Sequence, residues 1–470
     1  LISIAKEKNL LSDVINTTVD LEMKGLISDL QTLIRQPSVS ARRVGLLECA
    51  NLVAHIMLKS GITSEVLYLD DLENDKKDVP PPIVYGEVRS KANPNGRTIL
   101  FYNHYDVQPE EPLELWKVDP FSGKVEGNYI FGRGSSDDKG ELITRIKAVE
   151  YFLKKTGDVP CNVKFIVEGE EEIGSLHVEK YLTKYRHKLT CDGVIWEFGY
   201  IDERDRPIIS LGMKGLLYVE LLSKGPSRDA HSSLAVLIEN PAWRLVRALN
   251  TMRDNNGKIL IRGWYKDVRE FTPEELSLIA NEPFDEEEFK KEYGIDKFVN
   301  NATGIEARKA FVGMSTCNIA GLLSGYIGEG AKTILPAEAK VKIDFRLVPD
   351  MIPEKQFELV KNHLKENGFE DDIDIKLIHG EAAVRMPSNH SFIKQVEESA
   401  KETFGSAIIS ISSAGTGPMH SFAKVLGAPC VSIGSTYIYA KIHSPNEFAR
   451  IDLLNKTTKC IGAILEKFAS

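Results

Sequence analysis

Apolar and polar positions change their period along this chain, and the changes mark out its elements. Leu26, Ile27, Leu30, Leu33 and Ile34 recur at helical spacing and stop before Pro37, which predicts a helix. Residues 98–102, TILFY, form a short β-prone run of the kind shown by a central strand covered on both faces. From Asp138 the period is helical again: Leu142, Ile143, Ile146, Val149, Phe152 and Leu153 share a face, Asp138 is placed to cap the helix, and Gly157 ends it. Val163, Phe165 and Val167 alternate as a strand, and residues 194–196 add another. Strands alternating with amphipathic helices from 23 to 190 predict an α/β layer fold.

Near Gly212 the pattern changes. Residues 216–222 read as a strand, and Asn240-Pro241 supplies an N-cap and first turn for a helix over 242–252. The acidic stretch 267–297 reads as a solvated helix with loops. Ala339, Val341, Ile343, Phe345 and Leu347 alternate strictly with Lys340, Lys342, Asp344 and Arg346, a strand with one buried and one wet face. These patterns predict a second domain over 213–383 inserted into a first made of 1–212 and 384–470. The charged stretch 72–82, closing in three prolines, reads as a surface loop.

Composition narrows the functional classes. Of 470 residues, 42% are hydrophobic and 27% charged, which is ordinary for a globular protein. Fifty-nine basic against 68 acidic residues leave a net charge of −9, so no basic surplus serves nucleic acid or an anionic membrane. No window approaches the roughly 18 apolar residues of a membrane span, and the start, LISIAKEKNLLSDV, lacks a signal-peptide run. The six cysteines are scattered without a CxxC pair, which predicts reduced thiols in a cytoplasmic protein.

Chemistry concentrates where strands are expected to end. FYNHYDVQP places His104 and Asp106 after the strand at 98–102; histidine with a carboxylate two residues on fits a metal-bound imidazole whose ring is oriented by its partner. GRGSSDDKG sets Asp137 and Asp138 in a glycine-flanked turn before a helix. VKFIVEGEEEIGS follows a strand with Glu168, Glu170, Glu171 and Glu172, a density of like charge tolerated where it faces water or a cation. Glu197 follows the run 194–196, and His443 lies in KIHSPNEFA. His104, Asp137, Glu172, Glu197 and His443 form a mixed N and O donor set suited to zinc, with manganese or cobalt as alternatives. Five ligands with one bridging carboxylate would hold two ions. GYIGEGAKT, residues 325–333, misses the phosphate-loop pattern because Ala331 separates Gly330 from Lys332.

HYDVQP, GRGSSDDKG, EGEEEIGS, KGPSRDAHSS, GAKTILPAEA, DFRLVPDM and HSPNE occur in the order and approximate spacing of one family. The chain resembles the carnosinase and cytosolic non-specific dipeptidase branch of the dinuclear zinc aminoacylase/carboxypeptidase metallopeptidases. The resemblance implies a zinc-peptidase-like α/β/α catalytic domain with an inserted smaller α+β lid, or dimerisation, domain. It implies that His104 and Glu197 hold one zinc, Glu172 and His443 the other, and Asp137 bridges them, with a cis peptide between Asp137 and Asp138. Asp106 would orient His104, and Glu171 would act as general base and then acid. His231 would reach into the site of a partner subunit in a homodimer and polarise the scissile carbonyl. Arg346 would grip the substrate carboxylate, and Asn318, Thr333 and Thr416 would add hydrogen bonds. The implied activity is hydrolysis of a dipeptide or short peptide. Glu197 stands where such dipeptidases often carry Asp, which keeps N-acyl amino-acid deacylase and carboxypeptidase open as alternatives.

Overall fold

Phe101 and Tyr102 point to opposite faces of the strand Thr98–His104, and both are fully buried. On one face Phe101 meets Phe165 with ring centroids 5.2 Å apart. On the other, Tyr102 lies 4.2 Å from Trp196 and 4.5 Å from Phe422. Cover on both faces is why this strand reads as an unbroken apolar run. The structure, a computed structural model, describes residues 14–69 and 79–469. Residues 1–13, read above for a leader, and residues 72–78 of the charged loop lie outside the described residues.

The chain divides into two compact units. The first comprises the described residues up to 212, with 386–410 and those from 421 on; the second comprises Met213–Arg385 and Ile411–His420. The stretch Ile411–His420, left with the first domain in the sequence reading, clusters with the second unit. Ser413 bridges Met213, and Ile411 packs with Ile279 and Val312.

The first unit is built on an eight-stranded sheet in the order Thr63–Leu67, Ile83–Val88, Asn162–Glu168, Thr98–His104, Gly193–Trp196, Cys430–Ser432, Ile208–Ser210, Ile408–Ser410. The four central strands run parallel, so their carboxyl ends share one edge. The helices Met23–Arg35, Leu46–Lys59, Lys139–Thr156, Ser391–Phe404 and Ile451–Phe468 contribute Leu30, Val53, Ile146, Val396 and Ile461 to its core. Asp138 stands at the N-cap of Lys139–Thr156 but makes no side-chain capping bond. Its carboxylate turns instead to the strand end, accepting from Asn103 Nδ2 at 2.6 Å and the His104 N–H at 3.0 Å.

The second unit carries a four-stranded antiparallel sheet in the order Asn318–Ser324, Glu338–Leu347, Gly215–Lys224, Ile373–Glu381. Strict alternation puts Leu217, Val219 and Leu221 beside Val341, Ile343, Phe345 and Leu347 on one face, against Leu245, Met252, Val360 and Leu364 of two helices. The helix Pro241–Met252 starts as its sequence predicts, with the Asn240 side chain accepting from the Ala242 N–H at 2.8 Å. The edge strand Asn318–Ser324 leaves Ile319, Leu322 and Leu323 exposed. Among the described residues no helix is long and apolar enough to cross a membrane.

Phe345 is fully buried, its ring 4.8 Å from that of Trp264. Phe345→Ala is expected to destabilise the second unit by about 3–5 kcal/mol, measured as an earlier unfolding transition in urea.

Candidate functional site

Parallel strands deliver their C-terminal loops to one edge, where ligands bind in open α/β sheets. His104 is the last residue of Thr98–His104. Glu171 and Glu172 lie in a short helical turn three residues beyond Asn162–Glu168. Glu197 directly follows Gly193–Trp196. Asp137 precedes the helix Lys139–Thr156, across a cis peptide to Asp138, and His443 sits in a loop with a left-handed backbone, φ 56°.

Asp137 occupies the middle. One carboxylate oxygen is 3.1 Å from His104 Nε2, and the other is 3.1 Å from His443 Nε2. Glu172 Oε2 is 3.0 Å from that same His443 nitrogen. Glu171 Oε2 and Glu197 Oε2 each lie 4.0 Å from His104 Nε2. Donor atoms of His104, Asp138 and Glu197 come within 4.8 Å of one another, and so do those of Asp137, Glu172 and His443. Two adjacent groups share the cluster, with Asp137 touching the imidazole of each.

Asp106 joins two segments of the site. Its carboxylate is 3.3 Å from His104 Nδ1 and accepts the N–H groups of Glu171 and Glu172 at 3.2 and 3.1 Å. Gln108 Nε2 donates to Glu172 Oε2 at 2.8 Å. The acids after the strand are sorted by partner. Glu168 accepts from the Tyr102 and Ser175 hydroxyls, Glu170 pairs with His177, and Glu171 and Glu172 turn to the cluster.

Charge in this cluster is badly balanced without a cation. Burial, then repulsion from Glu171, pushes the Glu197 carboxyl well up. Burial drives Glu171 the same way, reinforced by Glu172 and Asp137. Hydrogen bonds to Asp137 and Glu172 push His443 up to about 10. Burial alone would raise Asp137, but hydrogen bonds from both imidazoles hold it low. Glu197 Oε2 and Asp138 Oδ1 are buried without a hydrogen-bond partner among the described residues. Imidazole nitrogens mixed with under-satisfied carboxylate oxygens fit divalent metal ions, whose binding displaces protons from such groups.

In the second unit, the remaining candidates fall into separate contacts. His231 pairs its Nδ1 with Ser233 and its Nε2 with Thr333 Oγ1 at 3.3 Å. Arg346 Nη1 donates to Thr416 Oγ1 at 2.6 Å. Asn318 donates to Asp344 at 2.7 Å.

The structure adds residues that the sequence reading did not single out. Glu447, 1% exposed, accepts from the N–H groups of Gly134, Ser136 and Asp137 at 3.0–3.1 Å and from Arg133 Nη1 at 2.9 Å. It ties the Asp137 turn to the segment carrying His443. Arg145, fully buried, donates to the carbonyls of Tyr102, Trp196, Glu197 and Ile433 at the ends of three strands. The available signal was a charged residue where burial was expected: Arg133 between glycines after an apolar run, and Arg145 within the helix Lys139–Thr156. Glu447→Ala leaves three N–H groups without their acceptor and the buried Arg133 without its carboxylate partner. It is expected to weaken divalent-metal binding by about 10–100-fold, measured by chelator competition on protein that retains its circular dichroism.

Residues 100–467 match peptidase family M20/M25/M40. The chain is 33% identical over 364 residues to the Cys-Gly metallodipeptidase dug1 of Schizosaccharomyces pombe, covering 75% of each chain. The M20 family metallo-carboxypeptidase Sso-CP2 from Sulfolobus solfataricus superposes with a TM-score of 0.88 at 39% identity, over 94% of this chain and 99% of that one. The di-peptidase Dug1p from Saccharomyces cerevisiae superposes with a TM-score of 0.83 at 25% identity, over 97% and 98% of the two chains. A mixed α/β fold shared with these peptidases, and a sequence match over most of its length, make this chain a metallopeptidase of family M20/M25/M40.

Proposed function

We propose that this protein hydrolyses the peptide bond of dipeptides and short peptides at a two-metal centre. The observation that carries the reading is Asp137, with one oxygen 3.1 Å from each of two imidazoles and Glu171 beside the first. His104, Asp137 and Glu197 would hold one divalent ion, and Asp137, Glu172 and His443 the other. Zinc is the proposed metal because the donors are imidazole and carboxylate, with manganese and cobalt as the alternatives to test. Two such ions, when bound, lower the pKa of a shared water towards about 7.

The chain's own groups then have distinct tasks. Glu171 takes the proton of the attacking water on its carboxylate and returns it to the leaving amine. Asp106 keeps the His104 ring and the Glu171–Glu172 backbone in register through three contacts. Arg346 binds the substrate's terminal carboxylate through its planar guanidinium. Thr416, Asn318 and Thr333 hydrogen-bond the substrate, and His231 stabilises the developing oxyanion.

We assign the 213–383 region the role of lid and dimerisation domain, with His231 supplied to the site of a partner subunit. The exposed edge strand bearing Ile319, Leu322 and Leu323 supports pairing with a second copy. Six free thiols support a reducing, cytoplasmic setting.

A second reading, carboxypeptidase, is supported by Glu197 at the position where such dipeptidases often carry Asp, and by the similarity to Sso-CP2. The test is hydrolysis of free dipeptides, their N-acetylated forms and a tripeptide by metal-stripped protein given back zinc, manganese or cobalt. Cleavage of free dipeptides alone supports the first reading. Cleavage of acetylated forms or the tripeptide at the C-terminal bond supports carboxypeptidase or deacylase activity, and no cleavage with any metal overturns both. Glu171→Gln is expected to lower turnover by about 10²–10⁴-fold with both metals retained by elemental analysis; wild-type turnover would remove Glu171 as the base.

A further inference from the structure

Lys214 is 4% exposed, yet no carboxylate among the described residues forms an ion pair with it. Among the described residues its Nζ donates to the Met314 carbonyl alone, at 2.7 Å. Burial, then the Arg346 and Arg385 cations, pushes its pKa down to about 8. Burying an ammonium beside two guanidiniums without an anion is unfavourable.

Strand register explains how these cations gather. Leu216 pairs with Arg346 and Leu217 with Phe345 across the antiparallel ladder. Leu217 and Phe345 face the core, so Leu216 and Arg346 face away from it. Lys214 lies immediately before the strand Gly215–Lys224, near enough to Arg346 and Arg385 to feel both cations. Both cations border one loop: the Lys214 N–H donates to the Ser413 carbonyl at 3.3 Å, and Arg346 donates to Thr416. Arg385 shares Glu275 with Arg269, and its buried Nε has no hydrogen-bond partner among the described residues. Asp344, also on this strand face, is engaged by Asn318.

We propose that Lys214 and Arg346, backed by Arg385, form a two-anion seat, and that the preferred substrates end in aspartate or glutamate. Resting on the reading that Arg346 binds the terminal carboxylate, Lys214 takes the second carboxylate, on the side chain. An anion at Lys214 supplies the missing countercharge, and a charge-assisted hydrogen bond there is shorter and stronger than a neutral one.

The test compares Ala-Glu with its neutral isostere Ala-Gln. Wild-type kcat/KM is expected to favour Ala-Glu by about tenfold or more, as one buried charge-assisted hydrogen bond allows. Lys214→Met is expected to abolish that ratio, and Lys214→Arg to retain most of it. Cleavage of both peptides at equal rates, or an unchanged ratio in Lys214→Met, overturns the seat while leaving the peptidase reading intact. Titration calorimetry with glutarate tests the seat apart from turnover. Binding to the wild type that weakens about tenfold in Lys214→Met supports it, and absence of glutarate binding to the wild type overturns it even if no peptide is cleaved.

Discussion

The first unit is organised around a concentration of like charge that ordinary folding avoids. Asp106, Asp137, Asp138, Glu171, Glu172 and Glu197 crowd around two imidazoles at one sheet edge, several of them buried. Carboxylates so placed repel one another and lose hydration, and the imidazoles of His104 and His443 relieve only part of that cost. Asp137 is the hinge of the arrangement because each of its oxygens faces a different imidazole. A divalent cation in each group would answer the remaining imbalance, and the donor types suit one.

Holding such a set requires rigid support, since none of its loops is regular structure. Two buried arginines supply it from beneath. Arg133 pairs with Glu447, whose carboxylate gathers the N–H groups of the Asp137 turn. Arg145 gathers carbonyls from the ends of neighbouring strands. Each uses ionic and hydrogen-bonding groups to tie loop backbone to its neighbours, and Arg145 ties the strand ends at Tyr102 and Trp196 to Glu197 and Ile433. Asp106 plays the corresponding part from above, tying a histidine ring to the amides of the acidic turn. The second unit divides its labour differently: one sheet face packs two helices, and the other carries polar and charged side chains such as Asp344 and Arg346.

Much of this was legible along the chain. The alternation over 339–347 announced a strand with one wet face because side chains alternate with period two, and its apolar members are buried. His104, Glu171, Glu172 and Glu197 stood out because ionisable residues close after apolar runs fall at strand ends, where ligands bind in open α/β sheets. Asp138 showed the limit of local reasoning. Its position fits a helix cap, but its carboxylate bonds to Asn103 and the His104 N–H on a strand 34 residues away. The stretch Ile411–His420 joined the second unit through Ser413 and Ile411, contacts with residues far back in the chain.

By itself the sequence determined the elements, the donor types and their placement at strand ends, because hydrophobic period and residue chemistry are local properties. Only the tertiary structure decided which acids gather around each imidazole, that Glu447 closes the Asp137 turn, and that Lys214 is buried near Arg346 with no ion-paired carboxylate among the described residues. Those outcomes depend on distances between residues that lie from 33 to 310 positions apart, and electrostatic and hydrogen-bond energies are set by distance and burial rather than by order along the chain.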